Sequence, residues 1–255
     1  MSNNPYMAAK LTEFLALTSC RFKRYDLFED ALRLVEEMPE ATKRDLNYSL
    51  SRMWFHWDPE EGLKAIGRAL SLGPPKSIDL LQILRILLRV IIDKYRDYIM
   101  KFLNVVREYS EKSYFELLGE IAGQEELHKY ISYEWIEKIV ADTPIGNKLM
   151  FLRGVLRHSF IKDIATRILL ETIRTEDPNM LKLSARVLIP YVREDILNKQ
   201  MMECIESLIQ KLYGFGMHYE VANLSAKYSI ALIRRDINRR LVFLDVARNS
   251  CYTMG

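Results

Sequence analysis

Apolar residues recur every 34 positions, in phase, across most of this 255-residue chain, and no other feature constrains its fold as tightly. Stepping by 34 from Asn47 meets Leu81, Phe115, Leu149, Leu183 and Met217. The same step from Met53 meets Leu87, Ile121, Val155, Ile189 and Asn223. From Trp54 it meets Leu88, Ala122, Leu156, Pro190 and Leu224. With Leu50, these starting positions have i, i+3, i+6, i+7 spacing, which is one face of a helix. A second face has the same period. From Ala31 it runs through Ala65, Ile99, Tyr133, Arg167 and Met201, and from Leu34 through Arg68, Phe102, Ile136, Leu170 and Cys204. Two apolar faces per period define a two-helix unit. One hairpin cannot bury both faces, whereas stacked hairpins bury them in a continuous core.

The punctuation has the same rhythm. Pro39, Pro74, Pro75, Pro144 and Pro178 fall near the junction between the two helices. Proline suits the first turn of a helix and not its interior. The third unit has REYSEKSY at that junction, without proline. At the other junction, Asp58 is a predicted N-cap, Pro59 a first helical position, and Glu60 and Glu61 favour the positive end of the helix. The pattern predicts helices over 7–20, 26–38, 42–56, 59–72, 76–91, 94–109, 112–122, 125–140, 146–158, 160–174, 178–190, 194–213, 217–233 and 236–249.

Composition agrees. Hydrophobic residues make up 49% and charged residues 28%, which excludes a disordered chain. Ten glycines and eight prolines are too few for an all-β protein with many tight turns. The expected fold is all-α: one domain over 1–255, a right-handed α-solenoid of antiparallel helical hairpins with 13–14 helices. The segments ALRLVEEMPEATKRDLNYSLSRM and GLKAIGRALSLGPPKSIDLLQILRIL read as successive units. In this architecture the chain resembles the tetratricopeptide and HEAT-like superfamilies. The tetratricopeptide pattern of Trp, Leu-Gly, Tyr, Ala, Phe and Pro at fixed places is absent. The resemblance implies a scaffold that binds protein or nucleic acid along a curved surface, and it supplies no catalytic residue.

The net charge is +3, from 37 basic and 34 acidic residues, and this neither requires nor excludes a nucleic-acid partner. Cys20, Cys204 and Cys251 are widely spaced and form no CxxC, so a reducing cytoplasm is expected rather than a disulfide framework or a zinc site. The opening MSNNPYMAAKLTEF lacks a basic region followed by an apolar one, and no signal peptide is expected. The most apolar stretch, 78–92, is interrupted by Gln82, Arg85 and Arg89. A membrane span needs about 20 mostly apolar residues, so a buried helix is expected there and no membrane partner.

No cofactor or metal is expected, and no enzyme activity. Gly62-Leu63-Lys64-Ala65-Ile66-Gly67-Arg68-Ala69 resembles a phosphate-binding loop only superficially. It lacks the Lys and Ser/Thr after the second glycine and lies within a helix, where small residues would instead let helices approach. Glu125 and His128 form a single Glu-x-x-His, and a di-iron bundle needs two. His56, His158 and His218 have no metal-ligand or nucleophile–base neighbour at a diagnostic spacing. Tyr130, Tyr133 and Trp135 read as padding of the core or its rim, with a binding hot spot as the alternative.

The sharpest candidate is a basic stripe. Arg85 and Arg89 stand one turn apart, Arg153 and Arg157 fall in the same phases two units later, and His158 and Lys162 extend the second pair. Repeated guanidinium groups can grip phosphates or carboxylates. A second basic cluster, Arg234, Arg235, Arg239 and Arg240, flanks the last helix and reads as the polar end of a stack. The leading expectation is a non-enzymatic scaffold with a protein partner. The alternative is a nucleic-acid-binding, HEAT-like protein of DNA repair using the arginine stripe. A third reading is homo-oligomerisation through terminal helices, with Met201, Met202 and Tyr213 contributing.

Overall fold

The computed structural model describes residues 5–54, 58–72, 96–124, 132–158 and 162–254. Among them are thirteen α-helices and no strand. The contacts divide the chain into two compact units, Met1–Tyr114 and Phe115–Gly255.

The first unit holds α1 (Pro5–Phe22), α2 (Tyr25–Glu36), α3 (Glu40–Trp54), α4 (Pro59–Ser71) and α5 (Arg96–Tyr109), with the opening residues of α6 (Glu111–Ala122). Helix α1 packs on α2 and α3, α3 on α4, and α4 on α5. Ala16, Phe28, Ala31, Val35, Leu46 and Leu50 form one buried cluster. Each fully buried Leu or Phe contributes roughly 1.5–3 kcal/mol relative to leaving it in water.

The second unit holds the rest of α6, then α7 (Tyr133–Ala141), α8 (Ile145–Val155), α9 (Lys162–Thr175), α10 (Pro178–Leu188), α11 (Lys199–Gly214), α12 (His218–Ala231) and α13 (Ile237–Tyr252). From α8 onward a regular pattern holds. Helix α8 packs on α9 and α10, α9 on α10 and α11, α10 on α11 and α12, and α12 on α11 and α13.

The helices begin where the side chains dictate. Asp58 accepts hydrogen bonds from the Glu60 and Glu61 amides, with Pro59 in the first turn of α4. Asp177 accepts from Asn179 N at 2.8 Å, with Pro178 opening α10. At the junction that lacks proline, the Ser110 hydroxyl accepts from Ser113 N at 3.3 Å and caps α6 instead. Each such cap is worth about 1 kcal/mol. Helix α11 ends on Gly216 in the left-handed region, φ +69. There Met217 N donates to Leu212 O and Gly216 N to Tyr213 O, so the last carbonyls are satisfied.

Most predicted helices are present within two residues at each end, while α8 ends three residues before the expected 158 and α13 runs three residues past the expected 249. Of the helix expected over 125–140, residues 125–131 lie outside the described residues, and Ser132 caps α7, which starts at Tyr133. One helix is broken. The span 194–213 was expected to be continuous, but Glu194–Ile196 is a separate 3-10 turn and α11 starts at Lys199. The reason is Asn198, whose side-chain oxygen accepts from Met201 N at 2.7 Å and caps the helix there. The predicted helix over 76–91 lies outside the described residues. No helix among the described residues is long and apolar enough to cross a membrane.

One contact is unusually close. A Cβ on Gly154 of α8 would lie 2.2 Å from Glu116 O and 2.6 Å from Glu120 N, both on α6. A Cβ on Gly119 would lie 2.0 Å from Phe151 O. Backbone therefore meets backbone, and only glycine fits. Gly67 of α4 has nothing within 4 Å of its Cβ position. Small size there does not serve helix approach, contrary to the sequence expectation, although Ala65 and Ala69 beside it are buried.

Candidate functional site

The glycine contact carries the ends of α6 and α8 together, and the charged side chains beside it form a cluster. Glu116 and Glu120 stand one turn apart on α6, and Arg153 and Arg157 one turn apart at the end of α8. The Glu120 side chain is only 2% exposed. It receives Arg157 on one oxygen, and on the other it lies 2.9 Å from His158 Nε2. Arg157 also reaches Glu116, and its Nε donates to the Tyr191 hydroxyl at 3.2 Å. Arg153 Nε lies farther from Glu116, at 3.7 Å.

Burial pushes the Glu120 carboxyl upward, but the hydrogen bonds from His158 and Arg157 outweigh it and hold its pKa below the ordinary value of 4.5. Burial opposes the Arg157 charge too. The bonds to Tyr191 and Glu120 prevail and raise its pKa. Glu120 is thus a carboxylate, so His158 Nε2 carries the proton and donates to it. A carboxylate that orients a histidine is half of a nucleophile–base arrangement. The other half is missing among the described residues, where no Ser, Thr or Cys is bonded to His158. No group of three or more His, Cys, Asp or Glu among the described residues could hold a metal ion. What the cluster does chemically is clamp two helices through paired, buried charge.

Arg85 and Arg89 lie outside the described residues, as do His56, Glu125, His128 and Tyr130. Arg153 and Arg157 come together as the stripe requires, but with two carboxylates against them. Sequence reasoning missed Glu116 and Glu120. They stand 37 residues before Arg153 and Arg157, one period plus a turn, and searching the preceding unit for acidic partners would have found them. A related pairing follows later, where Glu220 of α12, 4% exposed, meets Arg186 at 3.1 Å and Lys182 at 3.7 Å. His218 stacks edge-on against Tyr213, with ring centroids 5.6 Å apart. Met201 is buried and belongs to no surface, whereas Tyr213 is exposed.

The second unit also bears two grooves on either side of α9. One, of about 480 Å³, lies between α9 and α7, with Lys148, Arg167 and Glu171 among its walls. The other, of about 520 Å³, lies between α9 and α11 and is walled by Leu170, Arg174 and Glu203 as well as Arg167 and Glu171. Lys148 is nearly buried and bonds Glu171 at 2.7 Å, while Arg167 pairs with Glu137. Leu170, 40% exposed, stands in the wall of the second groove.

No family model, curated protein or solved structure matches this chain.

Proposed function

We propose that this chain is a non-enzymatic protein-interaction scaffold, a right-handed α-solenoid of hairpins about 34 residues long that seats a partner along α7, α9 and α11. One observation carries this reading: two grooves flank α9 and share Arg167 and Glu171 as a common ridge. Together they form a mixed-charge surface of two adjoining grooves. The repeat is supported by side-chain bonds one period apart, Arg157 to Tyr191 and Arg186 to Glu220, each spanning 34 residues. Solenoids of this kind commonly present such surfaces to partners.

The test is recovery of partners from native extract by the immobilised chain, with and without nuclease, beside a Leu170→Asp variant. A protein retained in both conditions and lost with the variant is the expected result. Recovery of the bait alone overturns the reading. A catch that disappears with nuclease transfers it to nucleic-acid binding. For that alternative, Arg153 and Arg157 supply no net positive charge here, because Glu116 and Glu120 balance them.

A further inference from the structure

The last two helices carry an apolar stripe that the described residues leave uncovered. In α13, Ile237, Leu241 and Leu244 follow one another at i, i+4, i+7 and are 62%, 55% and 47% exposed. The face of α13 that does pack is a different one, with Ala247 and Ser250 buried and Phe243 edge-on to Tyr228 of α12 at 4.9 Å. In α12, Tyr219 and Ile230 are exposed on the line that runs through Asn223 and Ala226 at 3–4 spacing. Exposed Ile233 stands in the turn between the two stripes.

The spacing of the stripe says what shape belongs there. Its exposed residues fall at i, i+4, i+7 on α13 and on a line of 3–4 spacing on α12. Residues at 3–4 spacing form the ridges and grooves that accept another helix.

The charge around the stripe says what chemistry belongs there. Arg234, Arg240 and Lys227 border it and have no ion-pair partner among the described residues. The acidic neighbours are already engaged, Asp236 with Arg239 at 3.6 Å and Asp245 with Arg248 at 3.1 Å. A second copy would set these unpaired cations against each other, which costs affinity. An anionic bilayer would satisfy them, but docking flat would carry exposed Asp245, at the stripe's edge, into the headgroup layer. We infer that the outer face of the α12–α13 hairpin docks an amphipathic helix of a partner protein, apolar on its inner side and bordered by Glu or Asp. This shares with the proposed function only the premise that the chain binds proteins, since the surface is a different one.

The test uses two designed helical probes with leucines at 3–4 spacing, flanked by Glu in one and by Lys in the other. Fluorescence anisotropy on the full chain reads their affinity. The Glu-flanked probe is expected to bind in the micromolar range and the Lys-flanked probe about tenfold more weakly. Leu241→Asp should weaken the first probe about tenfold. Arg234→Glu with Arg240→Glu should invert the preference between probes, which mere unfolding would not do. Leu170→Asp, in the α9 grooves, should leave probe binding unchanged, so the two surfaces fail or succeed separately. Equal affinity for both probes overturns the inference. So does a dimer in sedimentation velocity that Leu241→Asp dissociates, which assigns the face to a second copy. Cosedimentation with phosphatidylserine vesicles that Leu241→Asp abolishes assigns it to a membrane and overturns it as well.

Discussion

Adding a single methyl at Gly154 should loosen the second unit, although alanine is the better helix former. Two effects oppose each other. Alanine gains about 1 kcal/mol over glycine within a helix. Against this, the new Cβ would sit 2.2 Å from Glu116 O and 2.6 Å from Glu120 N. Ordinary contact begins near 3.4 Å. The obstructing atoms are backbone, so no side chain can rotate away, and α6 and α8 must separate by about 1 Å. Such overpacking typically costs about 1–3 kcal/mol. Separation also lengthens the bonds from Arg157 to Glu116 and Glu120, which cross the same gap. The net effect is a loss of about 1–2 kcal/mol, or a fall in Tm of roughly 2–8 °C. Gly67→Ala is the matched control, because nothing lies within 4 Å of its Cβ position. It should gain up to about 1 kcal/mol. Scanning calorimetry of the two variants against the parent reads both signs. A Gly154→Ala protein as stable as the Gly67→Ala protein would refute the reasoning.

Arg157→Met leaves Glu120 buried with only His158 against it and should cost about 3 kcal/mol in urea unfolding, and Glu120→Gln in the same chain should recover much of that loss. The Glu120 pKa is lowered on folding, so its contribution is full above the ordinary value of 4.5 and is lost as pH falls through the folded value. Stability measured from pH 6 down to 3 should therefore decline less steeply in Glu120→Gln than in the parent. Burial, with Glu203 nearby, pushes the Cys204 thiol up to about 11, while Cys251 is exposed. Iodoacetamide at pH 8 should therefore modify Cys251 long before Cys204, as peptide mass spectrometry can follow. Asp177→Ala removes the cap of α10 and should lower stability by about 1 kcal/mol.

Much of the helical framework was legible in the sequence because periodicity and capping are local signals. Ala31, Ala65, Ile99 and Met201 share one column of the 34-residue lattice, and all four are buried. Asp58 and Asp177 cap the helices that their flanking prolines announce. The break before α11 was hidden because Glu194 and Asp195 look like a helix start, while Asn198, the actual cap, stands only a few residues on. The ionic cluster was half legible. Phase alone brought Arg153 and Arg157 together. It could not reveal Glu116 and Glu120, whose meeting with them depends on how closely two glycines let the helices approach. The exposure of Ile237, Leu241 and Leu244 was not foreseen either, since an apolar stripe at helical spacing reads the same whether covered or bare.

Among the described residues, the principal helix contacts join neighbours one or two places apart along the chain. This has a kinetic consequence. From α8 onward each new helix docks after closing only a short loop, and loop closure costs little when the loop is short. Among the described residues, no principal helix contact waits on a distant pairing. A chain wired this way belongs among the faster folders for its length.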